Sequence, residues 1–361
     1  MIYLDNAAVE QPSPEVIDYV TKILKESWHN PNSLYYKGVE SHDLVEKAKN
    51  IIAKEINCSP DEITFCSCGS EANSLATYGY VKKHNLDYFV TSTIEHSSIL
   101  SNPYARKLIS VDKDGFYDIG KIKNIKNSFV SIQMANSEIG TIQDIKNIVQ
   151  ILHENNCIVH TDAVAAFGKI KTDVRDLGID MMTATGQKIG GILGAAFLYK
   201  KKSIDLEPFI FGHDILRGGT PNVTAIAAMG KAVESINYSL PYSSNRNYVY
   251  DYIFKNIPDC YLVGASFEKR LPNNLYICFK GISGESLMIL LDLKGVMVGT
   301  GSACNNLSMQ ESETLRAINM NDDDIHSCIR LSFSGRETQE DLDFTCVTIK
   351  NTVEQLRQFS T

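Results

Sequence analysis

The chain has 361 residues, 43% hydrophobic and 22% charged, with a formal net charge of -8 at pH 7. That length suits one large domain plus a smaller one, and the composition is that of an ordinary globular protein. The acidic balance argues against nonspecific contact with nucleic-acid phosphates, and no apolar run is long enough to predict a membrane span.

The first residues, Met1-Ile2-Tyr3-Leu4-Asp5-Asn6, carry neither a basic segment nor an apolar core, so no export signal is expected. Nine scattered cysteines fit reduced thiols and a cytoplasmic location. The tightest cysteine pair is Cys66-Ser67-Cys68, which cannot complete a tetrahedral set, so no metal site is expected. No G-x-x-x-x-G-K-[ST] phosphate loop occurs.

Helical periodicity runs over residues 39–56, with Val39, Leu44, Val45, Ala48, Ile51 and Ile52 on one side. Strands are predicted at 63–66, 88–91, 129–134, 158–161, 181–184 and 195–199. Several are apolar throughout, as expected of strands covered by helices on both faces. Strands alternating with amphipathic stretches predict an α/β domain with a mainly parallel sheet, and ligands of such sheets lie beyond the strand ends. A helix over 223–236 and a polar, irregular stretch at 237–247 place the domain boundary there. The expected division is a large domain over 13–238 and a smaller C-terminal α+β domain over 239–361, joined by residues 1–12. Strands near 274–279 and 296–299 belong to the second.

The residues just past the strands carry the chemistry. Cys68-Gly69-Ser70-Glu71 opens a helix after a strand, a place that suits an anion, although a serine there is more often only a cap. His96 closes the next junction, and Asn136 and Glu138 follow another; each could equally be structural. Asp162 ends an apolar strand; such an acid caps a helix or pairs with a protonated heterocyclic nitrogen. Lys188, in Thr185-Gly186-Gln187-Lys188-Ile189-Gly190, stands in a glycine-rich turn between two buried strands, where desolvation favours a nucleophilic amine. Cys304 lies in Gly299-Thr300-Gly301-Ser302-Ala303-Cys304-Asn305-Asn306, a setting that suits an accessible thiol better than a buried one.

Taken in order, these segments resemble the class V aminotransferases, and among them the cysteine desulfurases with a Ser-Gly-Ser-Ala-Cys nucleophile loop. The likeness includes Tyr3-Leu4-Asp5-Asn6-Ala7-Ala8, Gly69-Ser70-Glu71, Glu95-His96, Asn136-Ser137-Glu138, Asp162-Ala163, Lys188, Arg217-Gly218-Gly219-Thr220, Gly301-Ser302-Ala303-Cys304 and Ile329-Arg330-Leu331-Ser332. It implies the fold-type-I architecture of transferases dependent on pyridoxal 5'-phosphate. It implies Lys188 as the Schiff-base lysine, Asp162 on the pyridine nitrogen and His96 on the ring. Gly69, Ser70 and Gln187 would hold the phosphate, with Thr220 reaching in from the second subunit of a homodimer. Asn136 and Arg330 would hold the substrate carboxylate, for which the planar guanidinium fork is apt. Cys304 would take sulfur from L-cysteine as a persulfide, releasing L-alanine. The sulfur would then pass to a protein acceptor, as in iron–sulfur cluster assembly.

The resemblance also marks departures. Gln187 stands where the family has histidine, Ala165 where it has a glutamine donating to the ring oxygen, Tyr35 where it has histidine, and Val9-Glu10 where it has paired threonines. Two other readings of the same residues stay open. One is another lyase or aminotransferase on this scaffold, selenocysteine lyases included; the other is a weakly active sulfur-relay or scaffold subunit.

Overall fold

The computed structural model describes residues 1–212, 216–300 and 312–359. The strands among the described residues are β1 (Ile2–Tyr3), β2 (Ile63–Cys66), β3 (Tyr88–Ser92), β4 (Ala105–Ile109), β5 (Phe129–Gln133), β6 (Ile158–Asp162), β7 (Met181–Thr185), β8 (Ala196–Lys200), β9 (Cys260–Leu262), β10 (Asn274–Phe279), β11 (Val296–Met297) and β12 (Cys328–Ser332). The longer helices are α1 (Pro14–Glu26), α2 (Tyr36–Glu55), α3 (Gly69–Lys83), α4 (Ile145–Glu154), α5 (Val223–Glu234), α6 (Tyr242–Asn256), α7 (Gly284–Leu293) and α8 (Gln339–Phe359).

Seven strands form the main sheet in the order β2-β8-β7-β6-β5-β3-β4. Only β8 runs against the others. Every residue of β5 and β7 is buried, which is why these strands carry no alternation of apolar and charged residues. Edge strand β4 escapes sequence reading because its first four residues, Ala-Arg-Lys-Leu, are exposed.

Helices close the faces by burying one stripe each. In α4, Asp144 caps the N-terminus through the Asn147 N–H, and Ile145, Ile148, Val149 and Leu152 turn inward. Each such side chain is worth about 1.5–3 kcal/mol when fully buried. In α2 the buried stripe is Gly38, Ser41, Val45, Ala48 and Ile52, whereas Val39 is exposed. The polar stretch 237–247 is not wholly irregular, because α6 begins at Tyr242. Its buried face includes Asn245 and Arg246, and those polar residues mask the helical period.

A second sheet, β12-β10-β9, is antiparallel, and the N-terminal β1 pairs with β11. Leu4 packs in a separate apolar cluster with Val249, Leu275, Leu287, Leu331 and Val353. The first residues thus lie against the C-terminal part of the chain. Among the described residues, no helix is long and apolar enough to cross a membrane.

Candidate active site

Strands β3, β5, β6 and β7 and the β2–α3 junction deliver their next residues to one edge of the main sheet. A cavity of about 490 Å³ opens there, lined among others by Gly69, Ser70, His96, Asp162, Gln187, Lys188 and Arg330. Seven of the candidates proposed from sequence therefore share one enclosure.

Asp162, the last residue of β6, is 6% exposed and held by two donors. Asn73 Nδ2 donates to Oδ2 at 2.7 Å and the Val164 N–H to Oδ1 at 2.9 Å. Asn73 comes from the first turns of α3 and also donates to Ser98 Oγ at 3.0 Å. Ser98 Oγ lies 2.8 Å from His96 Nδ1, which also accepts the Ser98 N–H at 3.1 Å. That contact makes Nδ1 an acceptor and places the proton of the neutral imidazole on Nε2. A relay of side chains thus connects the acid to the histidine. Asn73 and Ser98 escaped the sequence reading, since an asparagine inside a helix carries no signal of its own.

Behind His96 stands Glu95, buried and the hub of three bonds from Ser92 Oγ (2.5 Å), Tyr117 OH (2.9 Å) and the Gln133 N–H (3.0 Å). Burial pushes its carboxyl up to about 8, against the opposing pull of these donors. Gln133 and Asn136 both donate to Ile94 O, at 2.5 and 3.2 Å. Asn136 is buried and commits its amide to the turn, since Oδ1 accepts the Glu138 and Ile139 N–H groups at 2.9 Å each. Its neighbours Ala135 and Ser137 line the cavity.

Lys188 ends a tight turn at Gly186, where Ile189 and Gly191 N–H groups return to Gly186 O. A Cβ on Gly186 would sit 2.9 Å from Met229 of α5, so only glycine lets the turn pack this closely. The Lys188 amine donates to Ala7 O at 2.5 Å and Ala8 O at 2.6 Å. Gln187 lines the same wall, and its carbonyl accepts the Glu10 N–H at 2.8 Å.

Arg330 arrives from the other sheet, on β12 opposite Tyr276. It is 3% exposed, donating from Nη1 to Ser137 O at 3.0 Å and from Nη2 to Asp5 Oδ1 at 2.7 Å. Its Nε is buried and has no hydrogen-bond partner among the described residues.

Three more residues named from the sequence remain, the candidates Thr220 and Cys304 and the departure Glu10. Thr220 lines a separate cleft of about 1050 Å³ with Ser67 and Arg217, and Arg217 Nε is anchored to Glu71 Oε1 at 2.8 Å. Glu10 is buried against Lys169. Cys304 lies outside the described residues. Among the described residues, no group of three or more His, Cys, Asp or Glu side chains could hold a metal ion.

The Aminotransferase class-V family pattern matches residues 2–344. The cysteine desulfurase IscS of Dictyoglomus turgidum is 35% identical, the alignment covering 99% of this chain and 96% of that protein. The IscS of Methanosarcina thermophila is 33% identical, with 99% and 93% covered. Among solved structures, a NifS-like protein superposes with a TM-score of 0.91 at 26% identity, covering 98% of this chain and all of that one. A NifS-like protein from Rickettsia africae gives 0.87 at 28% identity, with 98% and 99% covered.

Proposed function

Because the chain belongs to the aminotransferase class-V family, we propose that it is a cysteine desulfurase dependent on pyridoxal phosphate. The observation that carries this reading is the cavity in which the Lys188 amine, the Asp162 carboxylate and the N-terminus of α3 share walls with Arg330.

The residues present fit the cofactor. No side chain caps α3, so its first N–H groups and Ser70 suit a phosphate. A Cβ on Gly69 would come within 3.2 Å of Val164, and its absence keeps that cradle open. Asp162, buried and doubly held, suits a protonated pyridine nitrogen, and His96 would stand at the ring face. Gln187 can donate to the phosphate but adds no charge. Ala165, on the same lining, offers no donor to the ring oxygen.

Bound pyridoxal phosphate supplies a carbonyl for amines and an electron sink. The rest is the work of the chain. Arg330, on the cavity lining, would hold the carboxylate of L-cysteine through its guanidinium. Lys188 anchors the cofactor and, when released, serves as a base for the Cα proton; His96, with its proton on Nε2, is a second carrier. The Cys304 thiolate attacks the substrate sulfur, the Cβ–S bond breaks, and the products are L-alanine and a persulfide on Cys304.

Trp28, Leu34, Tyr36, Leu193 and Phe211 are all at least 64% exposed, which favours a homodimer that covers them and brings a partner's Thr220 to the phosphate. The β1–β11 pairing supports grouping residues 1–12 with the smaller unit, whose boundary we place near residue 239. Persulfide sulfur would then go to an acceptor protein.

Incubation with L-cysteine should yield alanine, and intact-mass and peptide analysis should find one added sulfur on Cys304. Cys304→Ser should bind cysteine yet transfer no sulfur. Absence of alanine, or sulfur lodged on another cysteine, would refute the assignment.

A further inference from the structure

Glu10 and Lys169 form an ion pair whose side chains are 4% and 5% exposed. Charges buried this deeply are tolerated when paired, and the pairing fixes where each side chain lies. Around Glu10, three chain segments meet. Its own N–H donates to Gln187 O at 2.8 Å, the carbonyl immediately before Lys188. Just upstream, Ala7 O and Ala8 O receive the Lys188 amine. Lys169 belongs to the turn that follows Asp162, where its N–H closes onto Ala166 O at 2.9 Å and Gly168 adopts a φ of 74°. The Lys169 ammonium also reaches Tyr242 OH at 3.5 Å, at the start of α6.

The cavity wall therefore carries two lysines in different settings. Lys188 donates to the Ala7 and Ala8 carbonyls. Lys169 is ion-paired with the Glu10 carboxylate. We propose that Glu10 is a positioning residue: its buried pair with Lys169 anchors the strap of residues 7–10 so that the Ala7 and Ala8 carbonyls seat the reactive Lys188 amine. The proposal rests on the reading of Lys188 as the cofactor lysine. It also gives a physical role to one of the departures from the family pattern, since a threonine at position 10 could not form this ion pair.

The test uses the full-length, coloured protein with Glu10→Gln, Glu10→Asp and the double variant Glu10→Gln/Lys169→Met. Two quantities are read: amide hydrogen exchange in the peptide spanning residues 5–12, and the pH midpoint of the visible band. In Glu10→Gln, strap exchange should rise about tenfold and the midpoint should move by roughly half a pH unit or more. Glu10→Asp, which keeps the charge, should lie between this variant and the parent. Removing both charges together should spare the fold, as paired replacement of buried ions commonly does. The strap should still exchange faster in the double variant, because its anchor is gone. A folded Glu10→Gln with parental exchange and parental midpoint would overturn the proposal. If Glu10→Gln does not fold, parental values in the double variant overturn it equally. A parent without any visible band would refute the cofactor reading instead, and strap exchange would still decide whether Glu10 anchors residues 7–10.

Discussion

The two walls of the cavity are built on different plans. On the Asp162 wall, each functional group stands at or just past the end of its own strand. Asp162 is held by Asn73 of α3 and by the Val164 N–H two residues on, and Lys188 reaches the N-terminal strap through Ala7 O and Ala8 O. On the Arg330 wall, one guanidinium is oriented by Asp5 and by Ser137 O, two groups distant in sequence from it and from each other. Apart from the strap that seats Lys188, the first wall is organised by the sheet itself and should survive small changes. The second exists only when the N-terminal segment, the β5–α4 connection and β12 are packed together. On the proposed reading, a cofactor seat on the sheet edge and a substrate clamp assembled across segments would be a division of labour that mutation can separate.

The largest effect should come from the first wall. Lys188→Ala should lose the visible band and lower turnover by roughly a thousandfold or more, while far-UV circular dichroism stays parental. Retained colour after dialysis would show that another lysine holds the cofactor. On the second wall, Arg330→Lys keeps the charge but loses the planar fork. A charged hydrogen bond of about 1.5–3 kcal/mol translates to roughly a ten- to hundredfold rise in KM for cysteine, with the visible band unchanged. A band that shifted along with KM would break the separation of the walls. Asp5→Asn should act in the same direction but more weakly, because the Asp5 side chain is 19% exposed and partly screened. A rise of about threefold in KM, again without a spectral change, is the expected result of steady-state assay.

The smallest effect concerns pH. The carboxyl of Glu95, behind the first wall, is raised from 4.5 to about 8, chiefly by burial. The native state therefore holds this proton more tightly than the unfolded chain does. The stabilising contribution is full below pH 4.5 and is lost as pH rises through about 8. Glu95→Gln should flatten the decline in unfolding free energy, read from urea melts, across that window by a few kcal/mol at most. His160 works in the opposite sense: burial lowers its imidazole from 6.5 to about 3, so its contribution is present above 6.5 and lost as pH falls toward 3. Equal pH slopes in the parent and Glu95→Gln would show that Glu95 does not titrate in this range.

The same contrast explains what could be read from sequence. On the first wall, ligands of such sheets collect beyond the strand ends, which made Ser70, His96, Asp162 and Lys188 candidates, and the family resemblance then gave them roles. The second wall was legible only in part. Arg330 could be named from the family resemblance, but its partner Asp5 lies 325 positions away, and no local pattern reports such a pairing. The Glu10–Lys169 pair was hidden for the same reason, and Glu10 registered only as a departure from the paired threonines. Asn73 looked like an ordinary helical residue, yet it links Asp162 to Ser98.

The central claim is that the sheet-edge wall is a ready-made cofactor seat with Lys188 as its covalent anchor. Reducing the coloured protein with borohydride, digesting it and mapping the modified peptide by mass spectrometry addresses that claim directly. The account predicts the reduced cofactor mass on Lys188 alone, with Lys169 unmodified on the same cavity wall. Modification of Lys169 or of any lysine outside the cavity, or no modified lysine at all, would contradict it.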